Sequence, residues 1–479
     1  MDLSSGVIIT YFALTLLVSF LCRRRETALQ RILAAPQELG VAFMVPLIFS
    51  GLFGGSTVTG TVSSAFSGGL SASLYLLGTA AGCLVFVAAV SRFYRAMSVI
   101  KRSYSIPDAF GQRFDQRTRL LMVLVIVVTN ALALSTIPLS TATIISNITG
   151  TDYEATVWIC CAMIIVMALA SGLKGVAAMN IIHTVVMFLG LIVLLVPSLG
   201  AVGGLPALRQ ALPASYFSLG SQGAFSFAAV LLGAILAIIT SPLAFMTVVS
   251  SHSARSAKAS ISLCALLILP FAACLVLIGL CCKVLAPDHA ANAVLYDTAL
   301  SFGPVCYTFI SMSVLASTFS TAPASMLSII TTLNNDIFLR VLKKDATERQ
   351  QKLFVNLGVV VLTIALMLLG KNASSILGQL TGATQIKSVA SLILLISLRW
   401  KRVDSRGAFW ALLSGSVLSM GWHILGNPFG VQPFWPAVAV TLAVLAAVTL
   451  AASREPASRE YRDYAAVMEA YEALPEQQR

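Results

Sequence analysis

A run of small hydroxyl residues lies near position 320 in an otherwise apolar stretch of the sequence. At helical spacing one narrow face carries Ser317, Ser320, Thr321, Ala324 and Ser328. A hard cation such as sodium prefers several oxygen ligands, and hydroxyls with freed main-chain carbonyls supply them without net charge. The same hydroxyls could instead donate to carbonyls of their own helix and let a neighbouring helix approach closely. The spacing alone leaves both interpretations open.

Two other apolar segments contain residues that interrupt helices. Residues 50–57 include three glycines within five positions, which makes a poor helix interior. Thr240-Ser241-Pro242 contains a proline that cannot donate to the helical ladder. Interrupted helices expose main-chain amides and carbonyls that can bind an ion or a solute. Each interruption also has a purely structural interpretation, because glycines serve close helix packing and prolines make simple kinks.

Lys387 is charged and lies in the middle of an apolar segment that is long enough to cross a membrane. No Asp or Glu lies near the middle of any such segment in the sequence. A lysine near the bilayer centre costs about 2.5–3.5 kcal/mol on insertion scales. Lys387 either pairs with an anionic group of a solute or faces water and carbonyls in a vestibule. Around it and the two interruptions we expect the solute-binding residues, which are Gly54, Gly55, Ser56, Tyr75, Ser241, Phe245, Gln385 and Lys387.

Aromatic residues and one histidine accompany these candidates. Phe49, Phe53 and Phe245 lie near the interruptions, and Tyr75 lies in the apolar segment that follows the first of them. Each of these rings either gates a solute or packs. His183 is the one candidate for a buried proton relay, and packing through a hydrogen bond to a neighbour is the favoured interpretation. Sodium coupling through neutral oxygens is therefore favoured over proton coupling.

The composition identifies the elements that must position these residues. Of 479 residues, 58% are hydrophobic and only 10% are charged, which excludes an ordinary soluble globular protein. Apolar windows of roughly 20 residues predict about thirteen transmembrane helices in an all-α polytopic membrane protein. The segments are about 5–22, 41–66, 72–91, 119–146, 154–172, 175–199, 222–249, 259–282, 302–335, 353–370, 373–398, 407–424 and 432–452. We expect one transporter domain over residues 1–453 and a cytoplasmic tail over 454–479.

The net charge of +12 orients this chain in the membrane and does not indicate a nucleic-acid partner. With the N-terminus outside and the C-terminus cytoplasmic, nearly all 31 Lys and Arg residues fall in inside loops, including Arg23–Arg25. The exceptions are Arg209, Lys283, Lys371 and Lys387. The nine cysteines form no CxxC and no metal-ligand spacing, and no catalytic motif is present. We expect no enzymatic activity and no cofactor.

Four stretches resemble the sodium:solute symporter family, which includes bacterial proline, pantothenate and sugar symporters. The glycine-rich residues 49–57 resemble the first core helix of that family, and residues 105–114 resemble its Pro-Asp…Arg-Phe signature. Residues 172–177 resemble its Gly-Leu-Lys helix start. The most specific match is Ser320-Thr321 with Asn335-Asp336-Ile337-Phe338 ending the same helix.

The resemblance implies the amino acid/sodium-coupled fold, an inverted five-plus-five repeat with core repeats at about 41–199 and 222–398. It also implies a sodium site between the second and ninth segments. The hydroxyls of Ser320 and Thr321 and the main-chain oxygens of Ser317, Ser50 and Phe53 would bind the ion.

The chain departs from the family pattern at two places. Asn180 and His183 replace an acidic residue and a glutamine, and Ser241-Pro242 and Met246-Thr247 replace Asn-Gln and Gln-Arg. The solute site has therefore been rebuilt, and no relative's substrate carries over. We expect a sodium-coupled symporter that imports a small polar or anionic solute across the cell inner membrane, with membrane lipid around it. The alternatives are a proton-coupled or sodium-independent carrier and a transporter-like membrane sensor.

Overall fold

The computed structural model describes residues 3–21, 40–170, 173–370, 376–452 and 456–475. Over these ranges the chain is helical, and no β-strand occurs in them. Arg23–Arg25, Gly172 and Lys371, which the sequence predictions use, lie outside the described residues. The helices are α1 Leu3–Leu21, α2 Val41–Leu52, α3 Gly55–Gly68, α4 Leu74–Ala89, α5 Ser91–Lys101, α6 Ile106–Arg113, α7 Gln116–Ser135, α8 Ile137–Thr149, α9 Tyr153–Ala170, α10 Leu173–Val202, α11 Gly204–Ala211, α12 Ala224–Ile239, α13 Pro242–Ser250, α14 Ala254–Leu285, α15 Val294–Ser301, α16 Pro304–Thr332, α17 Glu348–Gly370, α18 Ile376–Ser397, α19 Ser405–Ile424, α20 Phe434–Ala452 and α21 Arg459–Glu472.

Each predicted apolar segment corresponds to one helix or to two consecutive helices. In the part of the chain that the structure describes, eight helical stretches are long and apolar enough to cross a membrane. Shorter apolar helices cover Val41–Leu52, Tyr153–Leu169 and Thr381–Ser397. The expected all-α, multi-pass membrane class is confirmed, and the number of thirteen crossings stays a prediction.

Both predicted helix interruptions are present. Helix α2 ends at Leu52, Phe53 and Gly54 have extended backbone, and α3 begins at Gly55. Helix α12 ends at Ile239, and Pro242 then opens α13, where its missing amide proton is harmless. We call these two places the first break and the second break.

A further interruption, not predicted from the sequence, separates α7 from α8 at Thr136. Pro138 lies one residue into α8 and has no amide proton to donate to the preceding turn. The hydroxyls of Ser135 and Thr136 donate to the carbonyls of Leu132 and Ala133 at 2.8 and 3.2 Å. The chain therefore bends here without leaving these side chains unpaired.

Helix α16 lies at the centre of the molecule. Every residue from 314 to 324 is buried, so no side of this stretch faces the surroundings. It runs through Pro323 without a break and continues into a π-helical run, Leu333–Leu342. The hydroxyl face predicted from the sequence must therefore contact other helices.

One end of the bundle carries charged and aromatic side chains from α5, α6, the start of α7, the π-helical run and α21. We call it the basic face. Asp336, which is buried, pairs with Arg119 and accepts a hydrogen bond from Ser105 Oγ at 2.9 Å. Arg340 pairs with Asp108 at 3.0 Å.

The terminal helix α21 docks on the basic face through an arginine. Arg113 Nη2 donates to the Ser397 carbonyl at 2.7 Å. Its guanidinium lies 4.8 to 5.8 Å from the ring centres of Phe114, Tyr464 and Tyr461. Burial lowers the pKa of Arg113 to about 10, which leaves it charged at neutral pH.

Candidate functional site

The hydroxyl face of α16 meets the first break. Ser320 Oγ donates to the Ser50 carbonyl at 2.9 Å and to the Ser317 carbonyl at 2.8 Å. Thr321 Oγ1 donates to the Ser50 carbonyl at 2.7 Å. Ser317 Oγ donates to the Phe53 carbonyl. The five oxygen atoms expected from the family resemblance therefore lie together, and the hydroxyl of Ser317 adds a sixth that the sequence analysis did not assign.

These contacts exist because α2 stops inside the protein. The last carbonyls of a helix have no partner within it, and burial without a partner is costly. Hydroxyls of Ser317, Ser320 and Thr321 supply the missing donors, and all three side chains are buried. Three of the four hydrogen bonds cross from α16 to the first break, so these hydroxyls mainly serve contacts between helices.

Gly55 permits this approach of α3 to α16. A Cβ atom at this position would overlap Thr318 Oγ1 and lie 3.0 Å from the Val314 carbonyl oxygen. Only glycine fits without a shift of one helix. Gly55 therefore positions the cluster instead of facing a solute.

A cavity of about 100 Å³ lies between the two breaks. Its wall includes Gly54 and Ser56 from the first break and Ser241 and Pro242 from the second. Thr321 also lines it, so the cavity adjoins the oxygen cluster directly.

Five of the eight predicted solute-binding residues line this cavity: Gly54, Ser56, Tyr75, Ser241 and Lys387. Gln385 lies outside the wall, and its Nε2 atom is 3.3 Å from Gln432 Oε1. Because positions two apart on a helix point in different directions, Gln385 and Lys387 do not face the same cavity. Gly55 faces α16, and Phe245 lies one turn beyond Ser241.

Lys387 reaches across the cavity to α7. Its Nζ atom donates to Asn130 Oδ1 at 3.1 Å, and both residues line the wall. Asn130 and its neighbour Thr129, which also lines the cavity, were not predicted from the sequence. The signal was available, because a polar Thr-Asn pair interrupts the apolar run of α7.

A second, smaller cavity of about 30 Å³ continues toward the basic face. Pro242 and Ser328 line both cavities, whereas Tyr104 and Ser105 line only the second. Phe245 belongs to this second cavity. A chain of small spaces therefore leads from the breaks toward the basic face.

The remaining aromatic candidates pack. Phe49 and Phe53 are buried and contact each other and Phe271, with ring centres 5.2 to 5.6 Å apart. The ring of Phe245 meets Tyr94 edge-on at 5.2 Å. Tyr75 is the aromatic residue of the four that lines the first cavity.

His183 lies apart from both cavities. Its Nδ1 atom is 2.6 Å from Tyr11 Oη, in a buried contact with α1. Asn180, one turn earlier on α10, is also buried. Within the described residues, no three His, Cys, Asp or Glu side chains come together as a metal site.

Comparison with known proteins gives the family. A sequence model described as the sodium:solute symporter family matches residues 35–415. The chain is 22% identical over 477 residues to the high-affinity proline transporter PutP of Bacillus subtilis (strain 168), covering 94% of this chain and 98% of the relative. It is also 22% identical over 475 residues to the osmoregulated proline transporter OpuE of the same organism, covering 94% and 95%.

Solved structures share the fold. A Na+-coupled sialic acid symporter in a substrate-bound outward-open state matches with a TM-score of 0.78 at 16% identity, covering 94% of this chain and 97% of that one. Mhp1, a nucleobase-cation-symport-1 family transporter, matches in a closed conformation with a TM-score of 0.57 at 16% identity, covering 95% and 98%. The predicted transporter fold class is thereby confirmed. Since the family model spans most of the sequence, the chain belongs to the sodium:solute symporter family.

Proposed function

We propose that this protein is a sodium-coupled symporter that imports a small polar solute by alternating access. The observation that carries the proposal is the cluster of Ser317, Ser320 and Thr321 hydroxyls against the carbonyls of Ser50 and Phe53. It lies in the cell inner membrane with its N-terminus outside, which makes the basic face cytoplasmic. It acts as a carrier and performs no bond chemistry.

The oxygen cluster can exchange hydrogen bonds for a cation. When sodium enters, each hydroxyl rotates so that its proton points away and a lone pair faces the ion. The carbonyl oxygens of Ser50, Phe53 and Ser317 then lose their hydrogen bonds from these hydroxyls and bind the cation instead. Neutral oxygens suit this exchange, because the site holds no uncompensated charge after the ion leaves.

Coupling follows from the residues that the ion and the solute share. Thr321 bonds the Ser50 carbonyl and also lines the solute cavity. Sodium therefore fixes α16 against the first break and shapes one wall of the cavity. By linkage, a solute that prefers this arrangement raises the affinity for sodium by the same factor.

The second cavity supplies the route to the cytoplasm. Phe245, Ser328 and Thr331 line it between the solute cavity and the basic face. Movement of α13 away from α16 would join the two spaces. Ion and solute would then leave together past Tyr104 and Ser105.

The test is uptake into proteoliposomes under an inward sodium gradient, with choline replacing sodium in parallel. First candidates are L-proline, the solute named for both Bacillus relatives, and sialic acid, named for the matching structure. We expect uptake in sodium and at least about tenfold less in choline, since each charge-assisted contact contributes about 1.5–3 kcal/mol.

The variant Ser320→Ala combined with Thr321→Ala should abolish the difference between sodium and choline. The matched control is Thr308→Ala, because the Thr308 hydroxyl donates to Pro304 of its own helix, on the surface. Equal uptake in choline, or sodium dependence that survives the double substitution, would contradict the proposal.

A further inference from the structure

The first cavity is positively polarised. Among its described lining residues Lys387 is the single cation, and none of them is acidic. Its charge is met by the Asn130 amide, which is polar but neutral. Buried charges in membrane segments usually pair with an opposite charge, and this cavity has no carboxylate among its described lining residues. Lys387 therefore favours the binding of an anionic ligand.

Both breaks add to this polarity. Helix α3 begins at Gly55 and α13 begins at Pro242, and residues at both starts line the cavity. The first amides of a helix have no partner within it, and a helix start carries a partial positive charge. The carbonyl end of α2, by contrast, is occupied by hydroxyls of α16.

The carbonyl end at the second break is also occupied. The Ile239 carbonyl accepts from Tyr94 Oη at 2.9 Å, and the Ile238 carbonyl accepts from the Ser241 amide at 3.0 Å. These carbonyls therefore already have donors, whereas residues at both helix starts and Lys387 lie in the cavity wall. Sodium bound beside Thr321 would add one more positive charge to the same wall.

We propose that the solute is a small anion with a single carboxylate and that Lys387 is its counter-ion. In the absence of solute Asn130 holds the ammonium group in place, and the carboxylate displaces this contact or joins it. One lysine matches one carboxylate, and a second carboxylate on the solute would find no other cationic side chain among the described residues that line the cavity. This inference rests on the proposed transport function and specifies its substrate class.

The arrangement also links sodium to the solute. A carboxylate paired with Lys387 would lie in a cavity whose wall includes Thr321, and the Thr321 hydroxyl also belongs to the oxygen cluster. The ion and the carboxylate therefore stabilise each other across the Thr321 wall.

The test is thermal unfolding of the purified full-length protein in sodium chloride or choline chloride. The probes are matched carboxylate and amide pairs at high concentration: acetate and acetamide, L-lactate and L-lactamide, nicotinate and nicotinamide. Succinate is the dianionic probe. A ligand that binds the folded protein raises the midpoint of unfolding.

We expect at least one monocarboxylate to raise the midpoint in sodium, with at least about tenfold weaker binding for its amide and for succinate. Lys387→Met and Lys387→Gln should lose the carboxylate effect and keep the effect of sodium alone. Lys387→Arg, which retains the charge, should keep the preference for the carboxylate.

Three results would overturn the inference: amides as effective as carboxylates, a carboxylate effect that persists in Lys387→Met and Lys387→Gln, or no effect of any monocarboxylate in sodium. Failure of the transport proposal looks different. In that case sodium alone would not shift the wild-type midpoint, while a Lys387-dependent preference for carboxylates would still appear in choline.

Discussion

At the first break the buried polar groups are neutral, whereas the basic face buries charged groups, among them the ion pair of Arg119 and Asp336. The carbonyls of Ser50 and Phe53 accept hydrogen bonds from hydroxyls of α16. On the basic face the buried Asp336 carboxylate binds the Arg119 guanidinium and the Ser105 hydroxyl. Both arrangements give the buried polar groups hydrogen-bond or ion-pair partners. They differ in whether a partner can leave without exposing an unpaired charge.

The difference separates a site that exchanges a ligand from a fixed connection. A buried ion pair cannot lose one partner without leaving an uncompensated charge, so it suits a permanent contact. In a cluster of hydroxyls and carbonyls, the hydroxyl protons can rotate and form hydrogen bonds within the cluster when no ion is bound. It therefore tolerates both the presence and the absence of a cation.

The basic face has further fixed contacts that join distant parts of the chain. Arg113 connects α6 to the end of α18 and to the aromatic rings of α21. Arg95 donates to the carbonyls of Val248 and Ser251 at 3.0 and 3.2 Å, which ties α5 to the end of α13. Through Arg95, α13 would therefore move together with α5.

The largest effect is expected from Asp336→Asn. The substitution keeps the side-chain volume and leaves Arg119 charged and buried without its carboxylate. We expect the free energy of unfolding to fall by about 3–5 kcal/mol, as for other broken buried pairs. The yield and thermal midpoint of the purified protein measure this loss.

The control for that variant is Glu472→Gln on the same face. Glu472 lies 2.6 Å from Arg92 in an exposed pair, and such pairs contribute only about 0–1 kcal/mol. Equal thermal midpoints for Asp336→Asn and Glu472→Gln would contradict a fixed contact between Asp336 and Arg119 on the basic face.

A smaller effect on stability, with a direct effect on ion binding, is expected from Gly55→Ala. The added methyl group would collide with Thr318 and Val314 and push α3 away from α16. Overpacking of this kind costs about 1–3 kcal/mol, and the widened first break should weaken sodium binding. Sodium-dependent thermal stabilisation measures both quantities on one sample.

Gly200→Ala is the matched helical control. Apart from its chain neighbours and the backbone of its own helix, no atom lies within 4 Å of the position that its Cβ would occupy, so the substitution should be neutral or slightly stabilising. If Gly55→Ala retained full sodium stabilisation, close approach of α3 to α16 would not be needed for the proposed cation site.

Local signals in the sequence predicted the breaks and the hydroxyl face. Glycines in residues 50–57, the Ser241-Pro242 pair and the helical spacing of Ser317, Ser320 and Thr321 each act on their own stretch of chain. For this reason the sequence alone predicts the breaks and the hydroxyl face, without knowledge of any tertiary contact. The pairing of these oxygens with the first break came from the family resemblance, and the structure places the atoms within hydrogen-bonding distance.

Contacts between distant segments were not predicted from the sequence. Lys387 meets Asn130, and Arg119 meets Asp336, across more than two hundred residues in each case. No local pattern specifies such partners. Gln385 lies outside the cavity wall for a different reason. Helical geometry places it on another face from Lys387, although both residues were predicted to bind the solute.

Equilibrium binding of radioactive sodium to the purified protein tests the central claim most directly, because it needs no knowledge of the solute. We expect saturable binding in the wild type, unchanged binding in Thr308→Ala, and about ten- to hundredfold weaker binding in Ser320→Ala and in Thr321→Ala. Wild-type affinity in both of these variants, or no saturable binding to the wild type, would contradict the proposed sodium site between α16 and the first break.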